Sequence, residues 1–240
     1  MKKRLMAAGL LLLFSGVVGL AQSGVDQIIK RGNAQYERGQ YEAAIKEYGR
    51  VPVGRTEAYA QSLYNTGVCY FELGRTDDAI AFYRRAVESR EGNYPKALYA
   101  LGVALEVSGK LQEAGDAYRR AIAVSEGRYT EEGLAVAHYR LAMLAGRGGD
   151  YEGAAKLFRE AITRSKEKFP AGHNNLGVML ALSGRITDAE REFELALREA
   201  STGFDDAAYN LSLCRALIKR ETETAFARLK VTDSTFVLTR

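Results

Sequence analysis

Residues 95–123 read PKALYALGVALEVSGKLQEAGDAYRRAIA. Pro95 opens an apolar stretch that runs with helical spacing to Val107. Ser108-Gly109-Lys110 interrupts it, and a second, amphipathic stretch runs from Leu111 to Ala123. Proline suits the first turn of a helix, where its missing N–H costs nothing. Glycine suits the position just past a helix end, where left-handed backbone closes the last turn. The segment therefore predicts two helices joined by a glycine turn. Gly102, Ala114 and Ala121 are small enough to let two helix backbones approach. Tyr118 lies four residues from Ala114, on the same helical face.

The pattern recurs in both directions. Gly32, Gly67, Gly102, Ala142, Gly177 and Ser212 each open an apolar-periodic stretch. Seven residues after the first five come Gly39, Gly74, Gly109, Gly149 and Gly184; five further on come Ala44, Ala79, Ala114, Ala154 and Ala189. Tyr48, Tyr83, Tyr118, Phe158 and Phe193 follow, then Val51, Ala86, Ala121, Ala161 and Ala196. Units so aligned start near 25, 60, 95, 135, 170 and 205. The aromatic is expected to fill the gap between neighbouring units, because one helix pair cannot bury its apolar face alone while stacked pairs can.

These residues resemble the tetratricopeptide repeat (TPR), across about residues 25–219. The resemblance implies an all-α fold, a right-handed α-solenoid of stacked antiparallel helix pairs. About five full repeats and a capping helix are expected. The sixth unit departs after its first helix, with Lys219, Thr224 and Arg228 where Gly, Ala and an aromatic belong. Residues 220–240 then divide into a last helix over 221–230 and a frayed tail over 232–240. Pro52 should cut the second helix of the first unit short. The longer step between the third and fourth units is expected to lengthen the turn near Ser125–Glu132.

The first 21 residues have the form of an export signal. Lys2, Lys3 and Arg4 precede an apolar run from Leu5 to Leu20, and Gly19 and Ala21 give a small-x-small cleavage site. An uncleaved anchor is the rival reading, but residues 5–21 span only about 25 Å as a helix, short of the roughly 30 Å hydrocarbon core. Periplasmic or secreted localisation follows, with cleavage after Ala21. Beyond the signal the chain is nearly neutral: the formal charge of +4 falls to +1 once the three basic residues of the signal are removed. Nucleic acid is therefore not an expected partner.

Catalytic signatures are lacking: the sequence holds no GxxxxGK[ST], GxSxG, HExxH or CxxC. Gly146-Arg147-Gly148-Gly149 falls where a helix C-cap is expected. His138 and His173 read as packing residues, since no further ligands recur nearby to hold a metal. Cys69 and Cys214 share one position of a first helix, four units apart, and read as buried free thiols. The acidic pairs Asp77-Asp78, Glu131-Glu132 and Asp205-Asp206 read as helix-start residues that favour the dipole. No catalytic residue, metal or cofactor is expected, and the chain is read as a non-enzyme.

The resemblance also implies a concave groove lined by the first helix of each pair. Position 5 of the units supplies Ile29, Tyr64, Tyr99, Tyr139, Asn174 and Tyr209; position 9 supplies Asn33, Val68, Val103, Met143, Val178 and Leu213, five of six apolar where the family commonly has Asn. With Lys96, these give the candidate partner-binding set: Tyr64, Val68, Lys96, Tyr99, Val103, Tyr139, Met143, Val178 and Tyr209. The family's carboxylate clamp is matched by Asn33, Asn65 and Lys96 but broken by Ile29 and Ala100. Asn at position 6, as in Asn65, Asn175 and Asn210, is ordinary for the family. The expected function is a protein–protein scaffold of the bacterial cell envelope that takes an apolar segment in the groove. The alternative is a ligand-binding or oligomeric subunit serving a solute transporter. Envelope proteins are the expected partners, a homo-oligomer is allowed, and membrane association would come through partners or an uncleaved signal. Cover of the stripe by the tail around Phe236, Val237 and Leu238, or by a second copy, is the competing expectation.

Overall fold

The computed structural model describes residues 24–54, 57–125, 130–166, 168–219 and 228–232. The signal-like segment, most of the expected last helix and Phe236–Leu238 lie outside them. Every element among the described residues is helical or a turn: α1 (24–37), then α2 (Tyr41–Tyr48), α3 (Glu57–Glu72), α4 (Thr76–Ser89), α5 (Pro95–Val107), α6 (Leu111–Ala123), α7 (Glu131–Arg147), α8 (Tyr151–Arg164), α9 (Pro170–Leu182), α10 (Ile186–Glu199) and α11 (Asp205–Ile218). None is long and apolar enough to cross a membrane. The chain forms two compact units, up to Lys110 and from Leu111 onward. Each is a stack of helices from an all-α helical-repeat solenoid.

The glycine turns repeat almost atom for atom. Gly39, Gly74, Gly109, Gly149 and Gly184 have φ between 71° and 85°. After each, the next residue's N–H reaches back to a carbonyl five residues earlier, as in Gln40 to Gln35, Arg75 to Tyr70 and Arg185 to Leu180 at 2.8–2.9 Å. That is the Schellman closure, which satisfies carbonyls the helix end would leave bare. Pro95 and Pro170 sit in the first turn of α5 and α9. Pro52 follows α2, which is only eight residues long.

The in-register aromatic reaches the neighbouring unit, as Tyr48 does in clustering with Cys69, and it makes a second contact as well. It lies over the small residue of its own unit. A Cβ on Gly67 would stand 2.6 Å from the Tyr83 ring, and one on Gly177 would stand 2.6 Å from Phe193. Only hydrogen fits there, so the glycine and the aromatic fix how closely first and second helix pack. Tyr48, Tyr83, Tyr118, Phe158 and Phe193 are all buried, as are Ala44, Ala79, Ala114, Ala154 and Ala189. Ala154→Leu should therefore overpack the α7–α8 contact and cost about 1–3 kcal/mol, whereas Glu152→Leu, on the exposed face, should cost little. Thermal melts of the two variants test the register; equal melting points would refute it.

The long step between the third and fourth units is partly helix, not only turn. α7 starts at Glu131, four residues before the unit's nominal start, so the insertion adds a helical turn. Thr130 caps it, its hydroxyl accepting from the Gly133 N–H at 3.0 Å. The β-region backbone of Thr130 and its short hydroxyl make it a good N-cap.

The end of the chain also departs from expectation. Leu229–Thr232 carries no helix, and Thr232 is docked against the body rather than frayed. Leu229 packs on the apolar core of the C-terminal unit, which includes Tyr139, Met143, Phe169 and Phe193.

Candidate functional site

Three asparagines on two first helices build the site. Asn174 and Asn175 lie on α9, and Asn210 lies on α11. All three are 0% exposed. A buried primary amide has two N–H groups and a carbonyl to satisfy, and leaving them bare is costly. Their partners come largely from the main chain of Leu229–Thr232.

Asn210 holds Lys230 at both main-chain groups. Its Nδ2 donates to the Lys230 carbonyl at 2.8 Å, and the Lys230 N–H donates to its Oδ1 at 2.8 Å. Asn175 treats Thr232 identically: Nδ2 donates to the carbonyl at 2.8 Å, and the Thr232 N–H donates to Oδ1 at 2.8 Å. The main-chain N–H can only donate, so both amide orientations are fixed by their partners. The Tyr139 hydroxyl also donates to the Thr232 carbonyl at 2.8 Å, and accepts from Asn175 Nδ2 at 2.8 Å. Asn174 Nδ2 reaches the Lys230 carbonyl at 3.1 Å and Thr232 Oγ1 at 3.0 Å, while its Oδ1 accepts from Asn210 at 2.9 Å.

The held residues are two apart. Residues i and i+2 of an extended chain share one face, roughly 6.5–7 Å apart. Lys230 and Thr232 face the asparagines, and Val231 between them is 42% exposed. Side chains add recognition around this spine. Thr232 Oγ1 donates to Asp206 Oδ2 at 3.2 Å. Lys230 Nζ lies 3.9 Å from Asp206 Oδ1 and 4.6 Å from the centroid of the Tyr209 ring. Asp206 is in the first turn of α11 as expected, but it faces the segment as well as the helix dipole.

The expected apolar stripe is distributed differently. In the C-terminal unit Tyr139, Met143 and Val178 are buried, and Tyr209 is 37% exposed. Tyr139 meets the docked segment through its hydroxyl, while its ring packs against Phe158 and Phe169 at 5.4 and 5.3 Å. In the N-terminal unit Tyr64, Val68 and Val103 are half-buried, Lys96 is exposed and Tyr99 is buried. Lys96 Nζ stands 4.9 Å from the Tyr64 ring centroid, which also contacts Tyr83 and Tyr94. Asn33 Oδ1 accepts from the Tyr48 hydroxyl at 2.8 Å and from Asn65 Nδ2 at 3.3 Å. Two of the three clamp-like residues thus bond to each other.

The remaining sequence candidates have structural work. Cys69 and Cys214 are free and buried. Burial pushes the Cys69 thiol up to about 12 and Cys214 up to about 11, so neither is poised as a thiolate nucleophile. His138 Nδ1 contacts the Leu134 carbonyl at 2.8 Å. His173 lies 2.7 Å from Glu192 and 3.5 Å from Glu199, and Glu199 also accepts from the Phe169 N–H at 2.7 Å. These contacts tie the start of α9 to α10. Among the described residues no group of three or more His, Cys, Asp and Glu is placed to hold a metal. Gly148 and Gly149 close α7, the latter with φ 85°.

Sequence reading passed over Asn175 and Asn210 because Asn is ordinary at that position, and it passed over Asp206 as a helix-start acid. The available signal was the coincidence of Asn174, Asn175 and Asn210 on neighbouring first helices. Three buried amides in one layer call for a polar occupant.

Tetratricopeptide repeat models match residues 29–94 and 139–204, and a second such model matches residues 94–167. A search among characterised proteins finds no significant sequence match. Similar solved structures include a MamA protein, 24% identical with a TM-score of 0.60, the alignment covering 73% of this chain and 91% of that one. PilF of Pseudomonas aeruginosa is 15% identical with a TM-score of 0.65, covering 87% and 90%. YrrB, described as a TPR protein with an unusual peptide-binding site, is 21% identical with a TM-score of 0.59, covering 70% and 81%. With the glycine turns, the small-residue and aromatic register and the matched models in agreement, the chain belongs to the tetratricopeptide repeat family.

Proposed function

We propose that the protein is a non-catalytic interaction scaffold of the bacterial cell envelope, holding a segment of a partner protein on its first-helix face. The observation that carries this reading is the pair of bidentate asparagine contacts to main chain at Lys230 and Thr232. A surface that binds main chain at alternate residues is a surface for an extended polypeptide. YrrB, with a similar fold, is described as having a peptide-binding site, which supports the same use here.

In the N-terminal unit the partner would meet Tyr64, Val68, Lys96 and Val103, which are at least partly exposed, with Tyr99 beneath them. Aromatic and aliphatic side chains rimmed by charge suit an interface core. The test is capture from a native envelope extract with wild-type bait and with Tyr64→Ala/Val103→Asp bait of equal helix content. Loss of the wild-type partners from the variant supports the reading; the same partners at the same yield refute it.

Export is the second part of the proposal. Intact mass of the protein from its native host should correspond to a chain starting at Gln22. A mass that includes residues 1–21 would place the protein in an anchored form and refute cleavage.

A further inference from the structure

We propose that Leu229–Thr232 is an intramolecular pseudo-ligand, and that the face of α7, α9 and α11 is a site for an extended peptide of the pattern apolar–basic–any–Ser/Thr. The inference rests on the peptide-binding reading above and deepens it by naming the ligand and what competes with it.

The site's chemistry is complete without reference to side-chain identity at its centre. Asn210 and Asn175 each offer one N–H and one carbonyl, fully buried, at the spacing of residues i and i+2. Any residue except proline presents the matching main-chain groups. Two amides therefore fix the register and direction of an extended chain while tolerating many sequences. Asn174 and the Tyr139 hydroxyl add donors to the same two carbonyls.

Selectivity enters at three places. The first position packs on the apolar core of the C-terminal unit, as Leu229 does. The second meets Asp206 and the Tyr209 face, as Lys230 does at 3.9 and 4.6 Å; a cation is favoured over both groups. The fourth position meets Asp206 Oδ2 and Asn174 Nδ2 together, as Thr232 Oγ1 does. A hydroxyl can donate to one and accept from the other; an alkyl group would lose both bonds. The third position is open to solvent, since Val231 is 42% exposed. The pattern is thus that of residues 229–232, and a partner carrying it is a competitor for the same contacts.

A tethered ligand has a high effective concentration, and it lowers the apparent affinity of a competitor by the fraction of molecules whose site is open. The test keeps the full chain and alters only the tail. Lys230→Pro/Thr232→Pro removes both N–H donors without touching a groove residue. The probe is a fluorescein-labelled peptide of residues 228–234, followed by anisotropy. The double-proline chain should bind it at least ~10-fold more tightly than wild type. The same peptide with proline at its Lys and Thr positions should not bind, a control that leaves the protein unchanged. Equal binding by wild type and the double-proline chain overturns the proposal. So does absence of binding to a double-proline chain whose helix content and melting point match wild type. Sedimentation of wild type should show a monomer; a dimer that the proline pair dissociates would put the tail on a second copy and overturn the intramolecular assignment. If the Tyr64→Ala/Val103→Asp bait loses its partners while the peptide fails to bind, the scaffold reading stands and only the pseudo-ligand falls.

Discussion

Phe193→Ala is expected to destabilise the C-terminal unit by about 3–5 kcal/mol. The ring is fully buried at the centre of the core that joins α7 to α11. It lies against Gly177, which has no side chain to move into the vacated space. The opposing wall is helix backbone, so the cavity cannot collapse cheaply, and a large residual cavity is what makes such truncations costly. Phe193→Leu, which keeps most of the volume, should lose less. Chemical denaturation of both variants checks this. A loss for Phe193→Ala no greater than that for Phe193→Leu would contradict the ring-on-glycine packing.

Asn175→Ala should release the docked segment and leave the helices in place. The substitution removes the acceptor of the Thr232 N–H and one donor to its carbonyl, and it frees the amide's bond to Tyr139. A buried amide group left unpaired costs about 1–3 kcal/mol. The segment need not bear that cost, because lifting off returns its main chain to water. The loss of global stability is then limited to what docking contributes, and the effect concentrates at residues 229–232. Hydrogen exchange should show the Lys230 and Thr232 amides losing at least ~10-fold in protection, with the amides of α9 and α10 unchanged. Asn65→Ala, at the same repeat position in the other unit, where the amide bonds to Asn33, should leave the Thr232 amide as it is. Retained protection of Thr232 in Asn175→Ala would mean that the asparagine does not hold the segment.

The two substitutions act on parts of the molecule that the sequence revealed unequally. The positions of Phe193 and Gly177 were legible because a repeat imposes one geometry several times over; that the ring covers the glycine of its own unit was not. A glycine and an aromatic sixteen residues apart recur in four of the units, and in Gly32 with Tyr48, Gly67 with Tyr83 and Gly177 with Phe193 they meet in one local contact. Helix ends were legible for the same reason. A left-handed turn needs glycine, and Gly39, Gly74, Gly109, Gly149 and Gly184 take it. These are short-range demands, met within about twenty residues of chain, so composition and spacing carry them.

The candidate site depended on longer distances. Position 5 and position 9 of the repeats marked Tyr139, Met143 and Val178 as members of the inner face, but not that they would be buried. Their burial reflects how the units stack and what lies over them, and neither is encoded in the period. The docked segment was the least legible part. LKVT at 229–232 has no repeat counterpart, no helical period once Lys230 is reached, and no sequence neighbour among its partners; Asn175 is 57 residues from Thr232 and Asn210 is 20 from Lys230. By itself the sequence determined the helices, their turns, the register of the repeat and the small-residue contacts, because each is fixed by local backbone sterics or by one helix on the next. Only the tertiary structure decided that the inner face of the C-terminal unit carries an extended segment of the same chain, because that requires buried amides from separate helices to meet a main chain whose own residues give no sign of where it goes.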